Sequence, residues 1–131
     1  MAGPLPATWT AKVVGVTFTP TYPRNLYALQ SVFDQGPRYV PLVVELVRNP
    51  GNEHDANAVE VHVPALREHS MIGHVPARIA ERLAPELDGG QRWTAEIEQV
   101  LIDLEHEDRP GISIRCGRVV EASEAEAWSL I

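Results

Sequence analysis

Five histidines, one cysteine and eighteen carboxylates are the side chains of this 131-residue sequence with the widest chemical reach. A hydrolase needs a nucleophile beside a base, a pair of carboxylates, or a metal. None of the three has a signature here: G-x-S-x-G, H-E-x-x-H and the phosphate-loop pattern are all absent. His54, His62, His69, His74 and His106 include no pair at the i, i+4 spacing that places two imidazoles on one helical face. His54 and Asp55 are adjacent, and neighbours on a turn rarely aim at one ion. Cys116 sits in an alternating apolar pattern, which suits a small core residue rather than a nucleophile. The expectation is a non-enzymatic protein with no catalytic residue, no metal and no cofactor. What stands out instead is residues 49–57, NPGNEHDAN, whose amide and carboxylate side chains stabilise turns by bonding to nearby backbone.

The elements that must carry this turn follow from periodicity. Residues 8–19 read as a strand rich in β-branched and aromatic types, with Gly15 marking a bulge or a close backbone approach. Residues 20–38 carry Pro20, Pro23, Gly36 and Pro37 and read as loop, with helical spacing of Leu26, Leu29 and Phe33 inside it. Residues 39–48 form a strand whose two faces are both apolar, predicting a central strand covered on both sides. Residues 59–63 alternate cleanly, and a short strand over 71–75 runs into Pro76, well suited to open a helix. Ile79, Ala80, Leu83 and Ala84 share one face of that helix; Pro85 is expected to end or kink it, and Gly89-Gly90 stops it.

Residues 92–105 alternate with a phase slip. Ala95 and Ile97 have one parity, Val100, Ile102 and Leu104 the other, so one extra residue near Gln99 would return both sets to the same face. A last strand holds Ile112, Ile114 and Cys116 on one side, and residues 123–131 read as a helix capped by Ser123. The fold class is therefore mainly β: a small antiparallel, OB-like barrel of five to six strands with one or two helices. Closure leaves short strands no exposed edge.

Composition bounds the reading. The length fits one domain, 1–131, with 44% apolar and 22% charged residues. No apolar run approaches the roughly 20 residues of a membrane span. No signal peptide is visible at the start, and a lone cysteine fits a reducing compartment, so the expectation is cytoplasmic, with no membrane partner. The net charge of −7 is the wrong sign for a generic nucleic-acid binder, but it is unevenly spread. Residues 93–131 hold nine acids against three bases, while residues 1–92 hold nine against eight. Ten of the eleven bases are arginine, which suits fixed contacts to phosphate.

Three segments together carry a resemblance: VVGVTF at 13–18, VPLVVELVRNPGNEHDANAVEV at 40–61, and IGHVPARIA at 72–80. The sequence resembles the HIRAN domain, found at the N-terminus of fork-remodelling SWI2/SNF2 helicases and as stand-alone bacterial and phage proteins. The resemblance covers about residues 11–104; the acidic strand and helix of 105–131 lie beyond it. It implies a modified OB-like barrel binding single-stranded DNA at a free 3′-OH end, in DNA repair or replication-fork processing. Phe18 then matches a base-stacking aromatic, with Thr17 beside it. Asn52, His54 and Asp55 match the turn that approaches the terminal nucleotide, where a carboxylate accepts the hydroxyl's hydrogen bond and repels a phosphorylated end. Gly73 and His74 match a close backbone approach and a polar contact, and Arg78 a phosphate contact.

This sequence departs from the helicase-linked pattern in its cations and aromatics. Thr17 and Thr19 stand where a basic residue and a second aromatic flank the stacking position, and Ala77 where the helix opens with lysine. The sequence-independent phosphate attraction is weaker for it, so binding is expected to be weak and salt-sensitive. The competing class is a protein-interaction module that keeps the barrel, has lost DNA affinity, and docks a partner through its acidic C-terminal half or residues 20–38.

Overall fold

A computed structural model describes residues 4–15, 29, 34, 42–101 and 111–120. Six strands, β1 (Thr8–Lys12), β2 (Val43–Arg48), β3 (Val59–His62), β4 (Met71–His74), β5 (Trp93–Leu101) and β6 (Gly111–Arg118), form one antiparallel sheet in the order β1-β6-β5-β2-β3-β4. One α-helix, α1 (Ala77–Asp88), lies between β4 and β5. The sheet curls until its two ends meet: Val14 and His74 exchange backbone hydrogen bonds of 2.9 and 2.8 Å. The mainly β, antiparallel barrel-like architecture expected from the strand count is the one observed, as a half-barrel of six strands.

The barrel interior is built by alternation. Ala11 and Val13, Ile112, Ile114 and Cys116, Val59 and Val61, and Ile72 all point inward and are buried. Leu83 and Ala84 of α1 join them. Leu29, one of the two described residues in the 20–38 stretch, is helical and fully buried in the same core. Cys116 is a core residue, 1% exposed, and burial pushes its thiol up to about 12.

The phase slip in β5 is a β-bulge. Ile97 pairs with Ile114 and Gln99 with Ser113, so Glu98 is the unmatched residue. Ala95, Ile97 and Val100 consequently all face the core despite their opposite parities.

Three expectations need correction. β1 stops at Lys12 rather than running to 19, because the chain leaves β6 and bridges to β4 at Val14. β2 is central, between β5 and β3, yet only one face is covered: Val43 is 58% and Val47 37% exposed. Among the described residues no element packs over that outer face, so apolarity on both sides of a strand did not imply a second layer. Pro85 does not end α1, which continues to Asp88 and closes with Gly89 N–H donating to Pro85 O at 3.0 Å. Pro85 is exposed, so the Glu81 carbonyl it leaves without an amide partner sits on the solvent side. Leu83, Ala84 and the partly buried Leu87 hold the helix on the core across it. The Gly89-Gly90 stop is as expected. The helix expected over 123–131 lies outside the described residues.

Candidate nucleic-acid interface

The 49–57 turn is a set of short-range hydrogen bonds. Asn52 Oδ1 accepts from the backbone N–H of His54 (2.8 Å) and of Asp55 (3.1 Å), and Asp55 Oδ1 accepts from Asn57 N–H (2.8 Å). Backbone bonds from Asn52 N to Asn49 O and from Ala58 N to Asp55 O complete it. Both side chains thus hold their own turn, as their types favour. Each does so with one polar atom only. Asn52 Nδ2 and Asp55 Oδ2 have no partner among the described residues.

Arg48, at the end of β2, fixes this turn to the body. Its Nη1 donates to the carbonyls of Ala56 (3.1 Å) and Ala58 (2.9 Å), while Nε and Nη2 reach the two oxygens of Asp88 at 3.0 and 3.2 Å. The guanidinium fork joins the turn to the C-terminal end of α1, and its hydrogen bond holds the Asp88 carboxyl below the usual carboxylate value. On the other side, Asn49 Nδ2 donates to Glu60 Oε2 (2.9 Å). Glu60 Oε1 accepts from His62 Nε2 (2.8 Å), and His62 Nδ1 pairs with the Ser70 hydroxyl (3.0 Å).

The seam where the sheet closes supplies the facing wall. Gly15 has φ +73°, and a Cβ there would stand 3.9 Å from His74 Nδ1, so the chain turns away directly against the imidazole. Gly73 has φ +153°, also a value that L side chains rarely adopt. His74 Nε2 is buried without a hydrogen-bond partner among the described residues. Between turn and seam lies an open cavity of about 570 Å³ that Asn52, His54, Asp55 and His74 line together with Val14, Gly15, Met71 and Ala77. Among the described residues no arginine or lysine is in its lining, and Asp55 is its one carboxylate.

Four of the eight residues singled out from sequence therefore meet at one cavity. Gly73 underlies it without lining it, and Arg78 is exposed on the first turn of α1, next to Ala77. Thr17 and Phe18 lie outside the described residues. Among the described residues no group of three or more His, Cys, Asp or Glu could hold a metal ion, and no helix is long and apolar enough to cross a membrane.

The model of the HIRAN domain matches this sequence over residues 9–122. The chain belongs to the HIRAN domain family. HIRAN domains are DNA-binding modules, a family of binders rather than of catalysts. Two solved structures share the fold. The crystal structure of the HIRAN domain of human HLTF superposes with a TM-score of 0.55 at 17% identity, covering 86% of this chain and 74% of that one. A protein from Lactobacillus plantarum gives a TM-score of 0.58 at 22% identity, covering 83% and 89%. A search of curated proteins gave no match.

Within this HIRAN fold, the residues that sequence reasoning missed are positional. Arg48 stood in the motif string without a role, although an arginine directly before Asn-Pro-Gly carries five donors suited to capturing turn carbonyls. Val14 and Met71 line the cavity as apolar wall, and nothing in their local pattern separates them from core.

Proposed function

We propose that this HIRAN domain binds single-stranded DNA at a free 3′-OH end and performs no chemistry on it. The observation that carries the reading is that Asn52 and Asp55, each with one polar side-chain atom unpartnered among the described residues, line one open cavity together with His74. A terminal nucleotide offers a hydroxyl that donates to Asp55 Oδ2, and sugar or phosphate oxygens that accept from Asn52 Nδ2 and His74. A terminal phosphate would place negative charge against the Asp55 carboxylate, which gives end discrimination. The apolar part of the lining suits a sugar or base face. Phe18 as the stacking aromatic, with Thr17 beside it, completes the proposal on the strength of the family resemblance, and Arg78 serves a phosphate from the helix start. Free 3′ ends arise in repair and fork processing, the setting in which such recognition would be used.

With no arginine or lysine in the lining among the described residues and −7 overall, affinity rests on few phosphate contacts and falls with salt. Fluorescence anisotropy with matched 3′-OH and 3′-phosphate oligonucleotides at two salt concentrations tests the reading. The 3′-OH strand should bind about tenfold tighter, a difference of about 1.4 kcal/mol, and Asp55→Asn should narrow the gap. Equal affinities would overturn end recognition. No binding of either strand would favour the protein-interaction alternative.

A further inference from the structure

The cations of this acidic molecule divide into committed and uncommitted. Arg48 is taken by Asp88 and two carbonyls, Arg115 by Glu96 and Glu98, and Arg118 by Glu86 and the Leu5 carbonyl. The side chains of Lys12, Arg67, Arg78, Arg82 and Arg92 have no ion-pair or hydrogen-bond partner among the described residues, and all five are exposed. Three of the five are grouped on α1 and just beyond it. Arg78 and Arg82 are four residues apart on α1, so both sit on one face, opposite the buried Ala80, Leu83 and Ala84. Arg92 follows the helix and, with Arg118, lines a cavity of about 420 Å³ beyond Gly90 that no carboxylate lines among the described residues.

The acids of α1 sharpen this pattern. Two of its three, Glu86 and Asp88, are neutralised by Arg118 and Arg48 from outside the helix, leaving Glu81 beside the crest. The helix therefore presents two unpaired arginines to solvent against one unpaired acid, in a chain whose overall charge is −7. Its N-terminal residue Ala77 lines the 570 Å³ cavity, so the crest starts where the proposed strand end is seated.

We propose that a DNA strand seated in that cavity continues along the exposed crest of α1, its phosphates contacted by Arg78, then Arg82, then Arg92 at the far cavity. The inference rests on the reading of the cavity as a 3′-end site and adds to it a second, length-dependent binding segment. Twelve helical residues span about 18 Å. At about 3.4 Å per stacked nucleotide that is about five nucleotides. A trinucleotide should fill the cavity alone, and an octanucleotide, with about five further nucleotides along the helix, should reach Arg92.

Anisotropy titrations of 3′-OH dT3, dT8 and dT12 test this in the full chain and in Arg82→Gln, Arg92→Gln and, as a control on the sheet, Arg115→Gln. The chain should bind dT8 several-fold tighter than dT3 and gain little from dT12. Arg82→Gln and Arg92→Gln should each remove three- to tenfold of the dT8 affinity and leave dT3 unchanged. Each should flatten the slope of log affinity against log salt by about 0.7, the value for one single-strand phosphate contact. Affinity that does not rise beyond dT3, or an Arg82→Gln loss no larger than that of Arg115→Gln, overturns the track and leaves the end site standing. Absence of binding by all three oligonucleotides overturns both. Poly-glutamate binding as strong as dT12, and equally sensitive to Arg82→Gln, would reassign the crest to an acidic protein partner.

Discussion

The two ends of the barrel treat their polar groups in opposite ways. At the end where β1 begins, Arg118 donates to the Leu5 carbonyl (2.7 Å) and to Glu86 (3.2 Å), and its guanidinium lies 5.0 Å from the Trp93 ring centroid. Glu86 in turn accepts from Leu5 N–H, and Trp93 packs on Trp9 at 5.9 Å. The partly buried charges there are paired, while the indole N–H groups of Trp9 and Trp93 are buried without a partner among the described residues, and the N–H and carbonyl of Leu5 are both tied down by side chains. At the other end, Asn52 and Asp55 each leave one polar side-chain atom without a partner among the described residues, beside a cavity that His74 also lines. Satisfied charges rigidify, while unsatisfied ones at a cavity mark where a ligand gains most. One end holds the chain together, and the other leaves its polar groups available.

The largest expected effect breaks the sealed end. Arg118→Ala removes both hydrogen bonds and the stack on Trp93 and leaves the Glu86 oxygen it capped partly buried, so stability should fall by about 2–3 kcal/mol. The urea midpoint reports it. Arg78→Gln at the open end should move the same midpoint by no more than about 0.5 kcal/mol, the usual range for a surface change. Equal losses from the two arginines would erase the distinction between the ends.

A smaller effect sharpens it. Gly15 has φ +73° at the seam, where an L side chain costs about 1–2 kcal/mol. Its Cβ would meet His74 Nδ1 at 3.9 Å, ordinary contact, so Gly15→Ala should destabilise through backbone strain and not through a clash. A loss of about 1 kcal/mol in urea, together with a shifted His74 imidazole resonance, is the expected pair of readouts. An unchanged midpoint would mean that the seam relaxes freely.

This contrast was half legible in the sequence. The bulge at Glu98 could be read from the parity of Ala95, Ile97 and Val100, because a period of two allows no other way to keep all three inward. The Asn52–Asp55 turn was legible because those side chains bond within a few residues of themselves. Long-range pairings carry no such local trace. The Arg48 fork spans 40 residues to Asp88, and Arg118 spans 113 to Leu5. At Pro85 local rules allow either an end or a kink, and packing on the core carries the helix through to Asp88. At the candidate site the residue types were legible, but which oxygen of Asp55 is spent and which is open depends on the folded turn.

The smallest expected effect lies between the two ends, at Asp88, where Arg48 ties the open turn to the helix. The Arg48 hydrogen bond lowers the Asp88 carboxyl from its ordinary value of 3.8, and the carboxylate is fully exposed. A carboxyl whose folded value lies below its unfolded one adds stability above pH about 4 and loses it as the pH falls through the folded value. Asp88→Asn should therefore produce a small loss at neutral pH, one that shrinks in high salt and disappears once the pH falls below the folded value of the carboxyl. The same substitution frees Nε and Nη2 of Arg48 while leaving its bonds to Ala56 and Ala58, so the turn should keep its shape and oligonucleotide affinity should hold. A loss of affinity larger than the loss of stability would show that the turn is positioned through the helix and not by its own hydrogen bonds.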